Sequence, residues 1–518
     1  MTGCTGKDTR KREVWPDDEP RLSIEVKPDV HPADGGCDPI GSQAQAIAML
    51  LNRPACIDNA IVALQGFADR NATAMSDLAA AYYIRAKRKD RPADLLLAFH
   101  AADHAAAARP QPATAQFNLA LCERALGLSA ESLGADWSPD RLSNALRSGN
   151  AEAVTRLIKP YPTSAQRFLE DRLLPQKLAE ARLLATQLAQ ITGDRYVLDE
   201  VDAAASADAA KLQALREGYA TLAGTRAEAP GMSFKAAAEQ LRRGGSPTAL
   251  YAEAAAAYSD QDLATIDALE KEARRRGYLN LVAYVLSARG YVQLFSYSRY
   301  IESLASYDAA LAIYERLHDP ESVATAHTRR AGLLRVTGQL DAGWREALTT
   351  CLNQRRLGAI KERNLLLGET AALASALGEP HAALLYANNI VRLIQKELAA
   401  TPPEDLASIR VLQHNMAVAR RRRASYELQM GQYNDAGEDL DEAMRLGGKT
   451  GDQNIRQALA ARHAEVLAQT LLHIDATRAV AAFTRALALS KGLEYRSFRA
   501  SLYAQRATAQ RLAGKAAE

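Results

Sequence analysis

Aromatic side chains make up only 6% of the 518 residues, and the five cysteines, Cys4, Cys37, Cys56, Cys122 and Cys351, are scattered. With so few rings and an apolar share dominated by Ala and Leu, there is little material for a sheet, and helices are favoured. The cysteines are odd in number and form no CxxC pair, so no disulfide framework of a small secreted domain is visible. Reduced thiols in a cytosol-like compartment are expected. No run of about 18 apolar residues exists, so no helix is expected to cross a membrane, and no apolar signal region stands near the start. Charge of one sign is lacking too: 64 Lys+Arg face 61 Asp+Glu. That balance gives no strong global field for nucleic acid or membrane. GxGxxG, GxxxxGK[ST] and GxSxG are all absent, which leaves phosphate cradling and a serine nucleophile unsupported. A cytoplasmic location follows, with one alternative. "TGC" at positions 2–4 has the form of the end of a lipoprotein cleavage site, and anchoring through Cys4 would need an apolar segment upstream of a misplaced start.

What the sequence does contain is repetition. Residues 1–42 are a Pro-, Gly- and Asp-rich leader, expected to be mobile or loosely docked. Helical patterns follow from Gln43 onward. In a tetratricopeptide repeat, small residues let two helices approach, a bulky one fills the gap between them, and Gly accepts the positive φ of the turn. The stretch 76–127, "SDLAAAYYIRAKRKDRPADLLLAFHAADHAAAARPQPATAQFNLALCERALG", fits this pattern. Leu78, Ala79 and Tyr82 belong to a first helix, Ala98, Ala102, Ala105 and Pro110 to a second, and Leu119, Ala120 and Gly127 resume the phase. Turn positions recur at Ser259, Ser298, Gly338, Gly378, Gly431, Ile474 and Gly514, mostly at two-helix solenoid spacing. The long Gly378-to-Gly431 interval holds the insertion "AATPPEDLAS". Second-helix triplets recur as Ser303, Tyr307 and Ala310; Ala436, Leu440 and Ala443; and Ala479, Phe483 and Ala486. The expected fold is all-α, a right-handed superhelical solenoid of tetratricopeptide-like pairs. Its parts would be the leader, repeats over 43–130, an irregular helical junction over 131–245 broken by Pro160, Pro162 and Pro175, and repeats of period near 40 over 246–518.

Candidate chemistry is sparse. His100 and His104 share one helix face, as zinc ligation requires, but lack a third ligand and an HExxH glutamate, and a surface pair is expected. Cys122 and Cys351 are expected to be buried small hydrophobes. The basic runs at Arg420–Arg423, Arg274–Arg276 and Lys87–Lys89 have no interleaved aromatics for nucleic-acid stacking. They are expected to be solvated faces or a patch for an acidic protein segment. The five carboxylates of "GQYNDAGEDLDEAMRLG" (431–447) fall outside the packing triplet, so they are expected on the outer surface, with Asp441 and Glu442 near Arg445. No catalytic residue, metal or cofactor is assigned. Binding remains: the inner wall of stacked pairs is lined by first-helix side chains. Counting back from the turns places Tyr83, Arg124, Phe295, Arg335, Arg421 and Arg511 there. Such a groove suits an extended peptide or an acidic segment.

The succession "SDLAAAYYIRA…RPADLLLAFHAADHAAAARP…AQFNLALCERALGL", "FLEDRLLPQ", "GSPTALYAEAAAAY" and "EARRRGYLNL" resembles the N-terminal repeat region of bacterial CHAT proteins, caspase-like peptidases with helical-repeat arms. The resemblance covers about 76–315. It implies a non-catalytic sensing or regulatory arm whose partner is its own peptidase domain. That domain would need a His–Cys pair on alternating strands and helices, and is expected to be missing beyond "RATAQRLAGKAAE". A free-standing scaffold, or a lipid-anchored envelope adaptor, is the alternative.

Overall fold

The computed structural model describes residues 19–23, 37, 40–68, 71–89, 91–126, 138–226, 232–357, 360–403, 405–450, 453–472, 474–491 and 496–514. Cys4 and Gly127 lie outside them, and the side chain of Cys351 is not described. The chain is all-α, with no strand among the described residues, and it forms two compact units, 1–130 and 131–518. No described helix is long and apolar enough to cross a membrane.

The first unit holds α1 (Gln43–Asn52), α2 (Ile57–Ala68), α3 (Ala72–Lys89), α4 (Pro92–Ala107) and α5 (Ala115–Ala125). Each helix packs on the next, and α3 also meets α5. Leu78, Ala79, Tyr82, Ala98, Ala102 and Ala105 are all buried, while Leu119 and Ala120 are partly exposed. Two expectations, on the cysteines and on His100, change here. Part of the leader is docked: the Arg21 and Asn118 backbone and amide groups exchange hydrogen bonds of 2.8 Å, and Ser23 N donates to Asp77 at 2.8 Å. The Arg21 guanidinium covers the Phe117 ring at 3.8 Å. Cys37 and Cys56 form a disulfide rather than staying reduced, because this fold-back brings their Cα atoms to 5.5 Å. His100, expected at the surface, is buried, since α4 is covered by α3 on one side and α5 on another.

The second unit begins with α6 (Pro139–Arg147), α7 (Ala151–Ile158) and α8 (Pro162–Phe168). A π-turn (Leu169–Leu173) follows, then α9 (Leu178–Thr192), α10 (Tyr196–Ala205), α11 (Ala209–Arg226) and α12 (Phe234–Arg243). Regular pairs come next: α13 (Thr248–Asp260) with α14 (Leu263–Arg276), α15 (Leu279–Phe295) with α16 (Tyr300–Arg316), and α17 (Pro320–Val336) with α18 (Leu340–Leu357). They continue as α19 (Ile360–Ala376) with α20 (Pro380–Ala400), α21 (Leu406–Gln429) with α22 (Tyr433–Thr450), and α23 (Gln453–Leu472) with α24 (Ala476–Leu489); α25 (Arg496–Leu512) closes the described chain.

Local chemistry sets these boundaries. Asp262, Asp319, Asp405 and Asp475 accept from backbone N–H groups as N-caps, and Pro320 and Pro380 occupy first turns. Gly338, Gly378, Gly431 and Gly514 take positive φ, as does Ser298. The Ser259 position is displaced to Gln261, φ 59°, because Ser259 remains helical with its hydroxyl donating to Ala255 O. Ile474 is not among the positive-φ residues; it is 78% exposed just before the Asp475 cap. The long Gly378-to-Gly431 interval is taken up by lengthening α20 and α21 to 21 and 24 residues.

Packing follows the repeated triplets, whose nine residues are each at most 1% exposed. Their closest fit is Tyr307 against Gly290. A Cβ on Gly290 would lie 2.8 Å from the Tyr307 ring, and Ser303 Oγ donates to Gly290 O at 2.6 Å. One apolar cluster runs from Leu142 to Ala326, so 138–226 shares its core with the first regular pairs. At its centre the fully buried Glu200 accepts from Ser246 Oγ at 2.9 Å, from Tyr219 Oη and from Thr248 N. Burial pushes its carboxyl up to about 7, against the lowering hydrogen bonds of Thr248, Tyr219 and Ser246, and with a raising contribution from Glu170.

This carboxyl makes stability fall with rising pH. The folded state holds its proton up to about 7 and the unfolded chain only to 4.5. The contribution is therefore full below 4.5 and lost as pH rises through about 7, by on the order of 3 kcal/mol. Melting curves between about pH 5 and about pH 7 should carry this falling contribution to the midpoint, and Glu200→Gln should remove that part of the slope.

Candidate functional site

First helices of neighbouring pairs meet, α17 with α19 and α21 with α23. They line a groove of about 220 Å3 without help from any second helix. Arg335 enters from the C-terminal end of α17, Gly368, Glu369 and Ala372 from α19, and Arg421, Arg422, Ser425 and Tyr426 from α21. Arg462 comes from the middle of α23 and Phe498 from the start of α25, so the groove meets successive helices at different levels.

Four guanidiniums and one carboxylate therefore share the site. Arg335 pairs with Glu369 at 2.5 Å. Burial works against its charge, while Glu369 and Tyr426 favour it. Arg462 lies over the Phe498 ring at 3.8 Å and pairs with Glu465 at 2.7 Å. The exposed Arg422 rests against Gly368, where a Cβ would collide with its guanidinium. It has no carboxylate partner among the described residues. Tyr426 is buried between them. Burial raises its hydroxyl pKa, the charges of Arg422 and Arg335 oppose that, and Glu369 adds to it.

The remaining two arginines of the run face backward. Arg420 and Arg423 both bond Asp439 of α22, Arg420 at 2.7 Å and Arg423 at 2.5 Å through each of two nitrogens. Asp439 is 2% exposed, which corrects its expected place on the outer surface. The turn at Gly431 folds α22 back onto α21, and that covers it. Beside it, burial and then Asp439 push the Glu427 carboxyl up to about 7, Arg423 opposes, Asp435 adds, and Arg420 opposes. Of the other carboxylates, Glu442 pairs with Arg445 at 2.5 Å, whereas Asp441 turns to His463 at 3.0 Å. The run Arg274–Arg276 pairs with Glu270 and Glu272 on the surface.

Of the six residues placed on the inner wall, the structure brings Arg335 and Arg421 together. Phe295 is at the end of α15, its ring 4.4 Å from Tyr291, and Arg511 is exposed on α25; neither lines the groove. In the first unit Tyr83 is buried beneath Lys87, whose Nζ is 5.6 Å from the ring, and Arg124 is exposed on α5. Arg422, Arg462, Tyr426 and Phe498 went unassigned from sequence. Counting a set distance back from each turn samples one level, whereas the groove changes level from helix to helix. Burial pushes the Cys122 thiol up to about 12, with Glu123 adding to it, so it is a poor nucleophile. Among the described residues no three His, Cys, Asp or Glu side chains are grouped to hold a metal ion.

No family model matches the chain, and no curated protein does. Solved structures that resemble it include a Rap protein complexed with competence and sporulation factor. That match has 12% identity and TM-score 0.34, and covers 73% of this chain and 98% of that one. The APC/C hetero-tetramer Cut9–Hcn1 matches at 12% identity and TM-score 0.34 over 90% of each chain. At this level the site has to be read from its own residues.

Asp439 gives a direct test of what holds α21 against α22. Asp439→Asn leaves two partly buried guanidiniums without their shared anion, and should lower stability by about 3 kcal/mol in urea denaturation.

Proposed function

We propose that this chain is a non-catalytic, protein-binding helical-repeat scaffold whose arginine groove takes an extended acidic segment. The observation that carries the reading is the convergence of Arg335, Arg421, Arg422 and Arg462 on one groove lined, among the described residues, by a single carboxylate, Glu369. Guanidinium forks match carboxylates in geometry and charge, and rigid helices hold them without an ordering cost at binding. Nucleic acid suits the site less well. Tyr426 is buried and Phe498 is covered by Arg462, so no open ring remains for a base to stack on.

By the resemblance to CHAT proteins, the scaffold would be the regulatory arm of a bacterial caspase-like protein, with that peptidase domain as the partner. The leader 1–42, repeats 43–130, junction 131–245 and repeats 246–518 are the working division of such an arm. A second reading, an envelope adaptor anchored through Cys4, is favoured by the Cys37–Cys56 disulfide, because such bonds persist in oxidising compartments.

Two measurements test these readings. Fluorescence polarisation with a labelled oligoglutamate peptide should show binding that weakens with salt. Arg421→Gln with Arg422→Gln should reduce affinity about tenfold or more, and unchanged affinity removes the groove proposal. For location, alkylating the denatured chain, taken from cells without reductant, should label only Cys122 and Cys351 if the envelope reading holds, because Cys37 and Cys56 are paired and the lipid occupies the Cys4 sulfur. Labelling of all five returns the chain to a reducing compartment.

A further inference from the structure

A second cavity, of about 140 Å3, lies between α8, the π-turn, α10, α13, α15, α16 and α17. Its aromatic wall is Tyr251, Tyr284 and Tyr314, with the Tyr251 and Tyr284 rings 4.6 Å apart. Arg329 of α17 reaches into it, partly buried. No carboxylate among the described residues lies within ion-pair distance of its guanidinium. Burial works against its charge, and the hydroxyls of Tyr307, Tyr258, Tyr314 and Tyr284 favour it. The two carboxylates in the same walls are engaged elsewhere: Glu321 accepts from Ser164 N at 3.1 Å and Oγ at 2.7 Å, and Glu170 accepts from Gln166 at 3.0 Å. A guanidinium taken from water without an anion is costly, and an open space beside it can hold that anion.

The geometry points to an organic monocarboxylate as the occupant, its carboxylate on Arg329 and its apolar or aromatic body against Tyr251, Tyr284 and Tyr314. Three constraints select this class. The volume is below the roughly 300 Å3 of a drug-sized pocket, so one residue-sized group fits. Glu170 and Glu321 in the walls offset Arg329 and Arg167, leaving no net positive charge for a dianion, which disfavours phosphate. The rings supply apolar surface that a bare inorganic anion would leave wet. A free small acid and the C-terminal residue of a peptide both present this group. The site is independent of the arginine groove, and its failure would leave that proposal intact.

Isothermal titration of the full chain decides the matter with five probes: phenylacetate, its neutral twin phenylacetamide, inorganic phosphate, and the tripeptide Gly-Gly-Phe beside its C-terminal amide. The acids should bind at least about tenfold more tightly than their amides, with phosphate weaker than either acid, and Arg329→Met should cost the acids about tenfold or more. Arg329→Lys should retain part of the affinity. Tighter binding of the tripeptide identifies a peptide terminus as the source, and tighter binding of phenylacetate a free acid; both uphold the site. Equal binding of acid and amide, absence of acid binding up to about 10 mM, or stronger binding of phosphate than of either acid overturns the inference. So does a folded Arg329→Met chain that keeps its acid affinity. Should that variant fail to fold, the acid–amide pair on the unaltered chain still gives the answer.

Discussion

The approach of Tyr307 to Gly290 sets the constraint on which the regular part of this fold depends. A ring that can sit where no Cβ fits brings two helices close enough to exclude water and allows one rotational phase only. The same small–bulky–small arrangement is met by Ala436, Leu440 and Ala443 and by Ala479, Phe483 and Ala486, all buried. Once each second helix is locked against its first, the first helices are left with one face free of packing duties. The groove residues come from that face and from no second helix. The proposed binding site occupies what the packing rule leaves over.

The arginine run shows how that division is enforced within a single turn. Four consecutive residues spread around most of a helix. Burying Asp439 at 2% exposure would cost several kcal/mol without partners, and Arg420 and Arg423 supply three hydrogen bonds to it. That fork fixes the rotation of α21, and rotation alone then delivers Arg421 and Arg422 to the opposite side, where the groove lies. An interaction that is structural on one face thus orients the proposed binding groups on the other.

Much of this order was legible in the sequence because it is steric and local. Gly338, Gly378, Gly431 and Gly514 mark turns through their conformational freedom, and the triplets mark helix faces through their periodicity. Legibility stops where the cause is distant in sequence. Nothing near Cys37 announces Cys56, because their pairing depends on the leader folding back through Arg21 and Ser23. Asp439 resembles its exposed neighbours until the Gly431 turn lays α22 on α21. Counting back from the turns singled out Arg335 and Arg421, which share a groove, but not Phe498, since the groove's path depends on helix stacking that no local spacing encodes. The tyrosine cavity was missed altogether: its walls come from seven elements between Thr163 and Arg329, and no short motif spans them.

Helix α17 borders both cavities, with Arg329 in one and Arg335 in the other, six residues apart and so about 9 Å along the axis. Its start is tied to α8 by Thr163 Oγ1 on Asp319 at 2.7 Å and Ser164 Oγ on Glu321 at 2.7 Å. Its end is tied to α19 by Arg335 on Glu369. A helix held at both ends cannot slide without breaking charged hydrogen bonds, each worth about 1.5–3 kcal/mol. Both guanidiniums are therefore presented from a rigid member rather than from a loop. Preorganisation of that kind would reduce the ordering cost of the binding proposed at either cavity.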